Sequence, residues 1–272
     1  MSTPVQNAPA QHELWAAEKV ATHSTIATAP NGLRFSAWGQ TRIAHAEMER
    51  LVGAVPRALA PALSARCYYF VPLVMAEGEN GAEGGTVFAA PDYSADASDR
   101  AICHRNTTLG LVEAVFISTR LVEDRFGLSF EFAINVAHNF VDAVGVPESF
   151  GELVWSQALA AVRGETSQEA WDARRRAIDP SDAPEVTPAA TPAGIPAGVD
   201  ERARKAYQDA AFADAVAIYV LSLAIDFDYH DLREREYPLL AAPALAERLR
   251  HIARLFPAND GYEFQILYRR RG

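Results

Sequence analysis

Cysteine and long apolar runs are scarce in this sequence, and each shortage excludes a class of protein. Only Cys67 and Cys103 occur among 272 residues, and both stand in apolar surroundings. Two cysteines do not form the disulfide framework of a small secreted domain, so we interpret them as buried free thiols in a reducing compartment. No stretch reaches the roughly 18 consecutive apolar residues of a membrane-spanning helix, and the start of the chain lacks the pattern of a signal peptide. We therefore expect a cytoplasmic protein without a membrane partner.

Positive charge is also scarce. The chain carries 25 basic and 35 acidic side chains, which gives a formal net charge of -10. Such a surface repels the phosphates of nucleic acid unless a local basic patch compensates. The short clusters Arg174–Arg176 and Arg269–Arg271 fit a solvated helix face and a chain end better than such a patch. We expect no nucleic-acid partner.

Motifs that bind cofactors or carry catalysis are missing as well. The chain has no glycine-rich phosphate loop, no nucleophile elbow and no paired Cys-x-x-Cys motif. Cys103 and His104 are neighbours, but adjacent side chains of a strand point to opposite faces, so they do not predict a thiol–imidazole pair. We expect no bound cofactor and no metal.

The chain does contain an ordered series of predicted elements, with strands first and helices after them. Asn31-Gly32 is a strong turn signal and predicts a hairpin over residues 21–38. Apolar and β-branched runs predict further strands at residues 67–75, 86–90 and 111–118, with a last strand at 262–268. Apolar periodicity and capping residues predict helices over residues 41–52, 119–126, 130–144, 148–163, 166–178, 201–225 and 243–256. This order indicates an α+β fold, mostly helical with a small mixed or antiparallel sheet.

Two segments lack apolar periodicity. Residues 1–20 are polar and rich in Ala and Gln, so we predict a disordered or loosely attached N-terminus. Residues 179–199 contain five prolines and two glycines, which predicts an extended excursion. We expect residues 21–272 to form a single domain that includes this excursion.

The predicted helix 130–144 carries a polar stripe in an otherwise apolar sequence. Glu131, Asn135, His138 and Asp142 follow one another at steps of four, three and four residues, which places them on one side of a helix. Buried carboxylate and imidazole groups are costly without partners. The stripe therefore lines water, a metal, a ligand or another polar element, or it is the solvent edge of an amphipathic helix.

A second polar residue interrupts the apolar helix at residues 201–225. Asp214 stands within an almost entirely apolar run and needs a partner. That partner is either an arginine or serine elsewhere in the core, or the stripe of the first helix. We predict that His138 and Asp214 lie on facing helices, close enough to interact directly or through one water.

Three stretches follow one another in an order known from a protein family. Val-Pro-Arg-Ala-Leu at residues 55–59 leads into the strand at 67–75, Ile-Asn-Val-Ala-His occupies residues 134–138, and Ala-Ala-Phe-Ala-Asp-Ala-Val occupies residues 210–216. Together they resemble zincin-fold metallopeptidases of the lethal-factor-like type. In that family a His-Glu-x-x-His helix follows such a lead-in, and a later helix of the type Glu-Phe-Phe-Ala-Glu-Ala-Phe supplies a further zinc ligand. The resemblance implies a zincin-like arrangement.

The same resemblance implies which family residues this chain lacks. The first histidine of the motif is Ile134, the catalytic glutamate is Asn135, and the glutamate ligand falls at Ala210, next to Asp209. Of the usual ligands only His138 remains. Catalytic zinc needs three protein ligands and a water, and an asparagine cannot take a proton from that water. The resemblance thus implies a degenerate zincin without ordinary peptidase activity.

Three functions remain open at this point. The first is a non-catalytic zincin-like protein that binds a protein or peptide partner. The alternative is a divergent metal-dependent hydrolase whose rearranged site uses His138, Asp142 and Asp214, and the third is a small-ligand binder or structural subunit. The residues predicted to line a polar cleft are Glu131, Asn135, His138, Asp142, Asp214 and Tyr219.

Overall fold

The chain divides into two compact units, and the prediction that residues 21–272 form a single domain stays a prediction. The computed structural model describes residues 14–76, 86–179, 200–226, 232 and 236–265. Unit 1 contains the described residues of Met1–Ala29, Leu33–Met48 and Ser64–Glu131, and unit 2 contains those of Pro30–Gly32, Glu49–Leu63 and Phe132–Gly272.

Unit 1 contains the β-sheets. Its strands are β1 (Trp15–Ala16), β2 (Ala27–Thr28), β3 (Arg34–Ala37), β4 (Arg66–Val71), β5 (Leu73–Ala76), β6 (Val87–Ala90), β7 (His104–Leu109) and β8 (Val112–Ser118). The larger sheet has the order β2-β3-β4-β8-β7, in which β3, β4 and β8 are parallel while β2 and β7 are antiparallel to their neighbours. The smaller sheet, β1-β6-β5, is antiparallel.

The described residues form helices both in unit 2 and between the strands. They are α1 (Ala17–His23), α2 (His45–Gly53), α3 (Ala95–Ser98), α4 (Arg125–Val144), α5 (Glu148–Leu159), α6 (Gln168–Ile178), α7 (Glu201–Ala224) and α8 (Ala242–Leu255). In unit 2, α7 contacts α5, α6 and α8, and 16 of its 24 residues are buried, so it is the central element of that unit. The predicted α+β class with small mixed and antiparallel sheets is confirmed. No helix of the described segments is long and apolar enough to cross a membrane.

Several predicted helix ends are confirmed by their capping contacts. The Asp200 carboxylate accepts hydrogen bonds from the backbone N–H groups of Arg202 (2.9 Å) and Ala203 (3.1 Å), and α7 begins directly after it. Gly145 ends α4 with a φ of +73°, a backbone region that favours glycine. At α6 the cap is Ser167, which accepts from the Ala170 N–H at 3.1 Å, whereas the capping-box spacing of Thr166 and Glu169 predicts Thr166.

Three predictions of local structure require correction, and one strand was not predicted. Residues 14–20, expected to be loosely attached, form β1 and the start of α1, because the apolar side chains of Ala17 and Val20 are buried in the core of unit 1. The predicted strand at 67–75 is divided at Pro72 between β4 and β5, which belong to different sheets. The polar strand β7 was not predicted, since it lacks alternating apolar residues. Residues 262–265 are not a strand. Residues 1–13, 180–199 and 266–268 lie outside the described part of the chain.

The helix α4 also begins earlier than predicted. It starts at Arg125, so Ser129 is a buried position within the helix and not its cap. Gly127 directly follows the helix predicted over residues 119–126 and is expected to end it. It lies instead in the first turn of α4, where its N–H donates to the Asp124 carboxylate at 2.9 Å. An acidic side chain before the first turn satisfies helix N–H groups in the same way as a serine cap.

A close backbone approach in unit 2 gives a test of this fold. Gly164 has a φ of +78°, and a Cβ atom there would lie 2.2 Å from the Leu239 carbonyl oxygen. Gly145 has a similar φ of +73° but open space around its Cβ position. We expect Gly164→Ala to reduce the free energy of unfolding by more than about 3 kcal/mol, and Gly145→Ala by only about 1–2 kcal/mol from the backbone alone. Urea unfolding measures both, and equal losses would contradict the approach of these two segments.

Candidate functional site

Asp214 is a buried carboxyl group held by hydroxyl groups. It lies in the middle of α7 with an exposed fraction of 7%. The Thr166 hydroxyl donates to Asp214 Oδ2 at 2.7 Å, and the Ser167 side chain hydrogen bonds to the same carboxyl group. Both hydroxyl residues directly precede α6, so the cap of one helix also supplies the polar partner of another. The expectation that Asp214 needs a polar partner is confirmed, and hydroxyl groups fill that role.

Burial changes the acidity of this group. Desolvation raises the pKa of Asp214 to about 6 from its ordinary 3.8, although hydrogen bonds from Ser167 and Thr166 and the charge of His138 lower it. The Glu165 carboxylate raises the pKa further through its negative charge. Asp214 therefore changes its charge within about two pH units of neutrality, which an ordinary aspartate does not do.

His138 lies on α4 and is exposed, so it is on the surface of unit 2 near Asp214. The helices that carry the two residues meet at Phe140 on α4 and Phe212 on α7, whose ring centroids are 6.3 Å apart. The hydrogen bonds of Asp214 go to Thr166 and Ser167, and His138 acts on it through charge. We refer to Asp214, Thr166, Ser167 and His138 as the Asp214 site.

The link between these two groups is measurable. Since the charged imidazole of His138 lowers the pKa of Asp214, we expect His138→Ala to raise that pKa above about 6. The ¹³C chemical shift of the Asp214 carboxyl carbon as a function of pH reports the change. The matched control is His251→Ala on α8, which leaves the Asp214 titration unchanged. A titration that is also unchanged in His138→Ala would place the imidazole too far away to act.

The remaining residues of the predicted cleft have other surroundings. In unit 2, Asn135 is buried and accepts a hydrogen bond from the Asn139 amide at 2.6 Å, and Asp142 is exposed. Tyr219 is buried and donates to the Phe256 carbonyl oxygen at 2.9 Å. Its hydroxyl thus caps the end of α8 and does not belong to the Asp214 site.

Glu131 belongs to unit 1, where it accepts a hydrogen bond from His104. The distance from His104 Nδ1 to Glu131 Oε2 is 3.0 Å. The neighbouring Cys103 sulfur contacts the Arg120 guanidinium at 3.4 Å. Adjacent residues therefore bond different partners, in agreement with the prediction that Cys103 and His104 do not form a pair. Both cysteines are free; Cys67 is buried, and Cys103 is half-buried.

A second buried polar group lies next to the Asp214 site and was not predicted. Glu165 is completely buried and forms ion pairs with Arg174 at 3.1 Å and with Arg248 at 2.8 Å. Tyr207 donates to Glu165 at 2.8 Å, and Gln157 accepts from Arg248 Nε at 2.8 Å. These five residues, the Glu165 cluster, join α5, α6, α7, α8 and the segment before α6.

Charges within the Glu165 cluster stabilise one another. Burial lowers the pKa of the Arg248 guanidinium, but the charges of Glu165 and Tyr207 and the hydrogen bonds to them together outweigh burial and raise the pKa above its ordinary value. Burial raises the pKa of Tyr207, so its hydroxyl remains a hydrogen-bond donor. The cluster is a satisfied ionic core, in which every charged group has an opposite charge or a carbonyl oxygen beside it.

The sequence contained a signal for this cluster. Arg174 was predicted to lie on a solvated face, but it is buried together with Ala170, Ala173 and Ala177. Those positions follow the spacing of one helix face, and the short alanine side chains leave room for a buried guanidinium. Arg248 occupies the same kind of position on α8 among apolar residues.

Comparison of the chain with protein-family models, curated proteins and solved structures finds no match. Within the described segments, no three histidine, cysteine, aspartate or glutamate side chains are placed to hold one metal ion. The Asp214 site instead offers a carboxyl group that ionises near neutral pH, two hydroxyl groups and a surface imidazole. Such groups form hydrogen bonds and ion pairs with a ligand.

Proposed function

We propose that this chain is a non-catalytic zincin-like protein that binds a protein or peptide partner at the Asp214 site. The observation that carries the proposal is the buried Asp214 carboxyl group, with hydroxyl groups around it and an exposed imidazole nearby. A buried carboxylate is costly to ionise unless an opposite charge pairs with it, and residues with shifted pKa values are enriched at functional positions.

The lack of catalysis follows from the residues at the family positions. Ile134 and Asn135 replace the histidine and the glutamate of the zinc helix, and Ala210 is a buried alanine on α7. The neighbouring Asp209 forms an ion pair with Lys205. These side chains supply neither three zinc ligands nor a general base. The order of elements and the contact between α4 and α7 are compatible with the resemblance.

The divergent hydrolase is the less favoured function. His138 and Asp142 are exposed while Asp214 is buried, and the described residues hold no group of ligands that fits a metal. We expect protein expressed with added zinc to contain well under one equivalent after gel filtration, and its melting temperature to be unchanged by chelator. Stoichiometric zinc that is lost in His138→Ala would favour the hydrolase.

Partner binding is tested by selection from a library of displayed random peptides. We expect the wild-type protein to enrich a family of related peptides that the isosteric variant Asp214→Asn binds at least about tenfold more weakly. The matched control is Asp209→Asn, which makes the same chemical change on the same helix outside the Asp214 site. If no peptide family is enriched, or if Asp214→Asn binds the same family equally well, the proposed function is wrong.

A further inference from the structure

Unit 2 contains two buried carboxyl groups with different polar partners. Glu165, with an exposed fraction of 0%, has two arginines within 3.1 Å. Asp214, with an exposed fraction of 7%, forms hydrogen bonds with hydroxyl groups, and no lysine or arginine of the described residues forms an ion pair with it. Among the described residues, unit 2 thus pairs one buried carboxylate with two cations and the other with none.

The charges near Asp214 do not make up this deficit. Among the described residues, the only positive group that acts on it is the exposed imidazole of His138 on α4, and Glu165, ahead of α6, adds negative potential. Burial outweighs all the stabilising contacts, because the pKa of Asp214 is raised to about 6. The ionised carboxylate is therefore poorly stabilised in the protein on its own.

The residues around this carboxyl group are more exposed than the carboxyl group itself. Thr166 and Ser167, which contact it, are half-buried, and His138 is exposed. Asp214 therefore lies just beneath the surface of unit 2. The small exposed fraction that remains suits the end of one extended side chain and not a broad protein surface.

These observations define the chemistry that is missing at the site. We propose, on the basis of the proposed function, that the partner inserts a lysine or arginine side chain at the Asp214 site and forms an ion pair with the carboxylate. A cation there supplies the positive charge that the described residues do not place beside Asp214, and a charge-assisted hydrogen bond to a carboxylate is stronger than one between neutral groups. The negative net charge of the chain, -10, favours a basic partner at longer range.

The test uses the peptides that the full-length protein selects. Each basic residue of a selected peptide is replaced in turn, lysine by norleucine and arginine by citrulline, which keep the shape and remove the charge. We expect one such replacement to weaken binding at least about tenfold to the wild type and less than about twofold to Asp214→Asn. Asp209→Asn is expected to retain the full tenfold effect.

The outcomes separate this proposal from the proposed function. One outcome is that selected peptides bind through Asp214 and keep their full affinity after neutralisation of each basic residue. That result would overturn the proposal of a cationic side chain but not the proposed partner binding. The absence of any enriched peptide would overturn both. If Asp214→Asn does not fold, the test uses the wild type alone. We expect the ¹³C chemical shift of the Asp214 carboxyl carbon to change when the basic peptide binds and not when its neutralised form binds. Equal changes with both peptides would overturn the proposal.

Discussion

Asp214→Asn is expected to become more stable relative to the wild type as the pH rises from about 4 to about 8. The pKa of Asp214 is about 6 in the folded protein and has an ordinary value of 3.8, so the folded state binds the proton more tightly than the unfolded chain. The stabilising contribution is complete below the unfolded pKa and is lost as the pH rises through the folded pKa. A difference of about two pKa units corresponds to about 3 kcal/mol.

The measurement is urea unfolding of both proteins across this pH range. The difference in the free energy of unfolding, variant minus wild type, is expected to increase by about 3 kcal/mol, with most of the change between about pH 4 and pH 6. The control Asp209→Asn should show no comparable rise, because no buried carboxyl group is removed. A flat difference for Asp214→Asn would mean that its carboxyl group is not buried as described.

Glu165→Gln is expected to be the most destabilising of the conservative substitutions. It removes the negative charge between Arg174 and Arg248 and leaves two buried guanidinium groups without a carboxylate. Breaking a buried ionic group in this way costs about 3–5 kcal/mol, since the remaining charge is uncompensated. The melting temperature and the urea midpoint should both fall strongly.

The matched control is Glu169→Gln, an exposed position in the first turn of α6. Its effect is expected to stay within about 0.5 kcal/mol, as for most surface substitutions. If Glu165→Gln were as mild as Glu169→Gln, the Glu165 cluster would not be the ionic core of unit 2. A loss that disappears at high salt would also contradict the cluster, because buried pairs are poorly screened.

The sequence predicted local features of the fold better than long-range ones. The start of α7 after Asp200 and the end of α4 at Gly145 depend on local capping, which a single segment determines. The division of a continuous apolar run at Pro72 between two sheets depends on which strands pair, and pairing is decided by distant segments. The same holds for β7, whose polar sequence becomes a strand because β8 lies beside it.

Prediction of the candidate site was partial for the same reason. Asp214 was identified because a charged residue within an apolar helix is visible in the sequence. That His138 lies close enough to interact with it directly or through one water stays a prediction, which the effect of the His138 charge on the pKa of Asp214 supports. The sequence did not identify the Thr166 and Ser167 hydroxyl groups as partners of Asp214, since they belong to a separate segment. Arg174 was misinterpreted because neighbouring arginines concealed its position on the buried face of α6.

The central claim is that Asp214 belongs to a surface that binds a partner. The most direct measurement is the pKa of Asp214, from its carboxyl ¹³C signal, in the wild-type protein with and without a saturating selected peptide. A peptide cation at the site stabilises the ionised carboxylate, so we expect the pKa to fall from about 6 toward its ordinary value of 3.8, with the Asp209 signal unchanged. A bound peptide that leaves the titration of Asp214 unaltered would contradict the account.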